Sequence, residues 1–223
     1  MFESLTSLFN KESLIEQALN ECHEMLALDW QMFQASTETL RHTEGTEPKF
    51  DIADADKRVN KYERDVRRKV ITHLSITGDD VTAGLVVVSV VIDTERIGDY
   101  TQNIYELART HATKLHAGKL EDQLASVEKR IADLFQRTAK AFKDGDEESA
   151  RSIMAEYKEE LASDCDQIID HIVAGKTDDL SPGEAASVAL YTRYLKRIAS
   201  HLRTIVTSVV NPFPRIGYKE KQL

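Results

Sequence analysis

An all-α fold of two three-helix bundles in tandem is what this sequence predicts, and three observations carry that expectation. Helix breakers are scarce, since 223 residues hold only 9 Gly and 4 Pro alongside 30% charged and 41% hydrophobic residues. That composition favours long helices over many short strands and supports a sizeable core. Apolar residues recur at helical spacing in six stretches separated by turn signals. The third and sixth stretches also share a short pattern, as expected of an internal duplication.

The first helix is expected from about Ser13 to Arg41, ending before H-T-E-G-T-E-P-K, and the second from about Ile52 to Ile76, capped by Asp51 and stopped by T-G-D-D. A long third helix runs from about Asp80 to His116 and ends at Ala117-Gly118. Its Val86–Val91 run is rich in β-branched residues and can also be read as a buried strand. Against that reading, a helix-spaced stripe passes through it and no turn signal follows. The fourth helix is expected from about Leu120 to Lys143 and the fifth from about Glu147 to Val173. The sixth begins at Ser181-Pro182, an N-cap followed by proline at the first helical position, and reaches Val210 before N-P-F-P.

In the duplication, Val91–Ile104 matches Thr192–Ile205, with Arg96-Ile97 on Arg197-Ile198, Gly98 on Ala199 and Ile104 on Ile205. The expected division is therefore 1–117, 118–211 and a C-terminal tail, 212–223. The tail is apolar and irregular, and either docks on a partner or packs on its own bundle.

A formal net charge of −9 disfavours nonspecific nucleic-acid binding and adhesion to anionic lipid. Cys22 and Cys165 lie far apart within apparent helices, which suggests neither a disulfide scaffold nor a structural zinc site. The start shows no secretory signal, and Leu85–Ile92 is too short to span a bilayer, so a cytoplasmic protein is expected. Nucleotide-loop and nucleophile-elbow motifs are absent and the seven histidines show no metal spacing.

The candidate chemistry lies on the second and third helices. Val81, Leu85, Val88 and Ile92 form one stripe, expected to be buried, and the same spacing continues to Glu95 and Asp99. On the second helix Ile52, Val59, Val66 and Val70 mark the buried side, Glu63 falls within it, and Asp56 and Asn60 sit on its edge. If the two helices are neighbours, Asp56, Asn60 and Glu63 face Glu95 and Asp99. Carboxylates on facing helices hold iron, manganese or zinc in bundle proteins, because hard oxygen ligands suit such ions. The plainer alternative is a solvated acidic face. The aligned stripe of the second half is basic, with Arg193, Lys196 and Arg203, and Ser200 where Asp99 stands. Those bases can neutralise the first-half acids, accept an anion such as phosphate, or simply face solvent. Any metal is thus expected in the first half alone.

Glu95-Arg96-Ile97-Gly98-Asp99 with Asn103-Ile104 and Glu106 resembles the E-R-I-G-D-x-x-x-N-I-x-E signature of the PhoU phosphate-transport regulators. Tyr194–His201 resembles a second copy, with Lys196 in place of Glu and Ser200 in place of Asp. The resemblance implies a duplicated six-helix fold and a non-enzymatic cytoplasmic regulator of phosphate transport and homeostasis. Such a regulator docks on a transporter component or sensor kinase at the membrane, often as a homodimer, with iron or zinc held by E/D-x-x-x-D motifs. Glu95 and Asp99 match that motif, and Asp56, Asn60 and Glu63 match the acidic positions of the preceding helix. Alternatives from other classes are a carboxylate-bridged helical-bundle metalloenzyme and a metal-free adaptor of a phosphate permease; the Glu-x-x-His pairs of di-iron bundles are missing.

Overall fold

The computed structural model describes residues 13–43, 50–111 and 113–220, and these are mainly helical, with no strand among them. The helices are α1 (Leu14–Arg41), α2 (Ile52–Thr77), α3 (Val81–Thr110), α4 (Glu121–Asp144), α5 (Glu147–Glu156), α6 (Ala162–Val173) and α7 (Pro182–Val210). A π-helical turn, Tyr157–Leu161, joins α5 to α6, so these form the fifth of six rods. The fifth stretch is therefore interrupted where the sequence predicts one continuous helix. Glu156, Glu160 and Asp164 flank or occupy that turn and all three pair with Arg130 on α4.

The termini follow from local chemistry. Ser13 and Ser181 each close a capping box, with Glu16 and Glu184 respectively. Asp51 and Asp146 cap α2 and α5 through their side chains. Gly78 ends α2 with φ 69°, a conformation that costs glycine nothing. The third helix stops at Thr110 and not at His116. Beyond it Leu115 N–H donates to Leu40 C=O at 2.9 Å, and Gly118–Leu120 form a short 3-10 turn ahead of α4. Most of the break expected at 42–49 lies outside the described residues.

The first three helices pack on one another and the last three rods do likewise, and the two groups meet where α3 lies along α7 and α1 touches α4. Phe33 of α1 and Phe135 of α4 stack at that second contact with centroids 5.2 Å apart, and Trp30 joins them at 5.9 and 5.4 Å. Arg41 closes the same junction. Its guanidinium, nearly sealed from solvent, donates to Glu128 at 2.7 Å, to Glu121 and to Leu115 C=O. The C-terminal segment packs on its own bundle: Arg203 donates to Gly217 C=O at 2.9 Å, and Gly217 N–H donates to Thr207 Oγ1 at 2.7 Å.

One expectation is overturned. Of the stripe Val81, Leu85, Val88 and Ile92, Val88 is half-buried and the others are 51%, 40% and 39% exposed. The buried side of α3 is Gly84, Val87, Val90, Val91, Thr94, Ile97, Gly98, Thr101 and Ile104. This helix is apolar around most of its circumference, so the spacing of its largest side chains does not reveal its inner face. Gly84, Thr94, Gly98 and Thr101 stand among Val and Ile on the inside, where α1, α2 and α7 all pack against this one helix. A Cβ at Gly84 would stand 3.0 Å from Val70 Cγ1 on α2. The run Val86–Val91, open to a strand reading, is helical.

Candidate functional site

The flanks of α2 and α3 bring the expected acids to one face. On α2 the buried side is Ile52, Ala55, Val59, Val66 and Val70, as its spacing predicts. Asp56, Asn60 and Glu63 sit half-buried beside it. On α3, Glu95 and Asp99 are also half-buried, on the flank turned toward α2 and not on the inner face.

Their nearest bases come from their own helices. Arg96 Nη1 donates to Asp99 at 3.0 Å and its Nε lies 3.5 Å from Glu95. Arg67 pairs with Glu63 at 2.7 Å. Asn60 Nδ2 donates to Asp56 Oδ2 at 3.2 Å and to the Asp56 carbonyl at 3.1 Å. Negative charge still outweighs these partners. Burial, then the Asp99 charge, holds the Asp56 carboxyl above the usual carboxylate range. Burial and Asp99 likewise raise Glu95, against the opposing pull of Arg96.

Beneath this face lies a residue that sequence reasoning missed. Asp29 of α1 is 0% exposed, and neither carboxylate oxygen has a hydrogen-bond partner. Burial drives its carboxyl well above the ordinary range, and the charges of Glu95, Asp56 and Asp99 push it further. A buried unpaired carboxylate costs several kcal/mol. Gly98, the glycine of the E-R-I-G-D stretch, is what lets Asp29 sit there, because a Cβ at 98 would stand 2.9 Å from Asp29 Oδ1 and 3.2 Å from Val59. The only sequence signal was a charged residue at a core position of α1, between Met25 and Met32 on the helical repeat.

The donor set is all hard oxygen, which suits iron, manganese or zinc. Among the described residues, however, no three Asp, Glu, His or Cys side chains stand close enough together to hold an ion as they are. Arg96 and Arg67 hold the outer acids. The orphaned oxygens of Asp29 are the one feature here that fits a cation: the donor chemistry suits such an ion, whereas the geometry does not gather three of these side chains around one point.

The basic candidates of the second half do not face these acids. Lys196 Nζ lies 2.5 Å from both oxygens of Asp166 on α6, and Arg203 holds the C-terminal segment. Arg193 is exposed. The residues that do cross to α3 were not singled out. Arg197 Nε donates to Tyr100 Oη at 3.2 Å, and its guanidinium lies 5.6 Å from the centre of that ring. His201 Nδ1 lies 2.7 Å from Asp93 Oδ1 and its Nε2 3.2 Å from Arg197 Nη2. Because a guanidinium can only donate, Nε2 accepts, and Nδ1 carries the proton donated to Asp93.

Residues 22–108 match the PhoU domain family model. The fold is that of solved PhoU proteins. PhoU from Pseudomonas aeruginosa superposes with a TM-score of 0.78 at 17% identity, over 88% of this chain and 95% of that one. The phosphate transport system regulatory protein PhoU from Streptococcus pneumoniae superposes with a TM-score of 0.72 at 15% identity, over 88% and 93%. No curated protein matches the sequence significantly.

Proposed function

We infer that this chain is a non-enzymatic regulator of phosphate transport, acting through contacts with a transporter component or sensor at the membrane from the cytoplasmic side. The observation that carries the reading is the PhoU domain match over residues 22–108, which contains the whole E-R-I-G-D stretch and every acid of the α2–α3 face named above. It is supported by the PhoU fold over most of the chain. No described helix is long and apolar enough to cross a membrane. Homodimerisation belongs to the same reading, as does the division into two repeats at 117/118 with a separate tail from 212.

Metal binding is part of the proposal and is confined to the first half. Glu95, Asp99, Asp56, Asn60 and Glu63 supply oxygen donors to an iron or zinc ion on the α2–α3 face. In the second half Asp166 is neutralised by Lys196, so no acidic excess draws a cation there.

Deletion of the gene is expected to change both phosphate uptake and the output of a phosphate-starvation reporter. A deletion strain indistinguishable from its parent in both measurements would remove the regulator reading.

A further inference from the structure

We propose that Asp29 is an inner ligand of the metal, a buried carboxylate that the half-exposed acids of α2 and α3 join from the surface side. This rests on the metal reading above and extends it to a helix that the signature does not include. Three observations lead to it. First, Asp29 is fully buried and both oxygens lack a hydrogen-bond partner. Backbone and side-chain donors normally satisfy such a group, and leaving it bare destabilises the fold. Second, the bases nearest the cluster are committed on its outer side, Arg96 to Glu95 and Asp99 and Arg67 to Glu63. Apart from a proton, a compact cation is what remains to satisfy a carboxylate so deep among other acids.

Third, the molecule carries its own control. The buried positions Cys22, Met25, Asp29, Met32, Phe33 and Ser36 of α1 repeat, with the same spacing, as Leu124, Val127, Ile131, Leu134, Phe135 and Thr138 of α4. The matched Phe33 and Phe135 touch each other. In this register Asp29 corresponds to Ile131, which is also fully buried. The position therefore accepts an aliphatic side chain, and nothing in the packing of such a bundle requires an acid there. The carboxylate is present only in the half that holds Glu95 and Asp99. In the half with Lys196 and Ser200, the inner position is apolar and Ala199 replaces Gly98. Inner acid, glycine and outer acids thus come and go together.

The test compares wild type, Asp29→Asn and the double variant Glu95→Gln/Asp99→Asn, each stripped with chelator and reloaded with Zn(II), or with Fe(II) under nitrogen. Bound metal per chain, its Kd and the melting midpoint with and without metal are measured. Asp29→Asn is expected to melt at or above wild type when metal-free, to bind at least about tenfold more weakly, and to lose the metal-induced rise in midpoint. Asp29→Ile, which copies the matched position, keeps the test available should the Asn variant fold poorly. Wild-type affinity in the Asp29 variants, with metal lost from the double variant, overturns the inner ligand and leaves the surface site standing. A lower metal-free midpoint with unchanged Kd also overturns it, by giving Asp29 a purely structural role. A wild-type protein that takes up neither ion removes both the inner ligand and the metal reading.

Discussion

Lys196 of α7 places its ammonium 2.5 Å from both carboxylate oxygens of Asp166, whereas the aligned position of the first half is Glu95, a carboxylate held above its usual range by burial and by Asp99. In the second half a lysine neutralises a single acid, whereas in the first half Arg96 is shared between Glu95 and Asp99 and does not offset burial and like charge at Glu95. In the metal reading, Lys196→Gln leaves bound metal unchanged while Glu95→Gln/Asp99→Asn abolishes it. The lysine change is expected to cost about 1 kcal/mol or less, since Asp166 is half exposed and the pair is partly screened. Elemental analysis and denaturant unfolding check both parts. Metal that disappears equally with Lys196→Gln would refute the asymmetry.

Arg96 holds Glu95 and Asp99 on the outer side of the cluster, so it competes with any ion for them. Arg96→Gln is expected to tighten metal binding severalfold in a competition titration against a chromophoric chelator. Weaker binding in that variant would mean that Arg96 organises the acids for the ion instead of blocking it.

The acid cluster has a definite pH signature. Asp29, Asp56 and Glu95 have folded-state carboxyls raised above their unfolded values. The folded state therefore binds more protons between those two values, and stability falls as pH rises through the folded ones. Glu121, lowered by its hydrogen bonds from Arg41 and Ala117, works in the opposite sense: its contribution is lost as pH falls through its own, lower value. Metal-free protein should accordingly lose stability as pH rises from the ordinary carboxylate range through the raised folded values of Asp29, Asp56 and Glu95. Asp29→Asn/Asp56→Asn/Glu95→Gln should flatten that decline in melting midpoint against pH.

Gly98→Ala sets two effects against each other. Alanine gains about 1 kcal/mol in helix propensity, but its Cβ meets Asp29 Oδ1 at 2.9 Å and Val59 Cγ1 at 3.2 Å within a packed core. Overpacking of that kind costs about 1–3 kcal/mol. The expected net result is a loss of about 1 kcal/mol in chemical denaturation, and the loss should shrink in an Asp29→Ala background.

Arg41→Met removes a nearly buried cation from Glu128 and Glu121 and strips Leu115 C=O of its donor. Breaking a buried pair from one side costs about 3–5 kcal/mol, because the remaining charge is left uncompensated. The loss should be partly restored by Glu128→Gln, which double-mutant unfolding measurements will register.

The sequence by itself determined the helices and their order. Capping boxes at Ser13 and Ser181, the Asp51 cap and the Gly78 stop are local devices acting within a few residues, and they are legible without tertiary contacts. The angular positions of Asp56, Asn60, Glu63, Glu95 and Asp99 about their own helices were legible too, although the spacing along α3 put Glu95 and Asp99 on an expected inner stripe that the structure turns to the flank. Only the tertiary structure decided which side of α3 turns inward. Three neighbours cover that helix, so Gly84, Thr94, Gly98 and Thr101 are buried while Val81, Leu85 and Ile92 face out. It also placed Asp29 of α1 beneath acids that lie far along the chain, and it gave the crossing to α3 to Arg197 and His201 while Lys196 turned to Asp166. Helical periodicity defines angles about one axis; which angle meets which neighbour depends on packing between segments distant in sequence, and that information is not local to any of them.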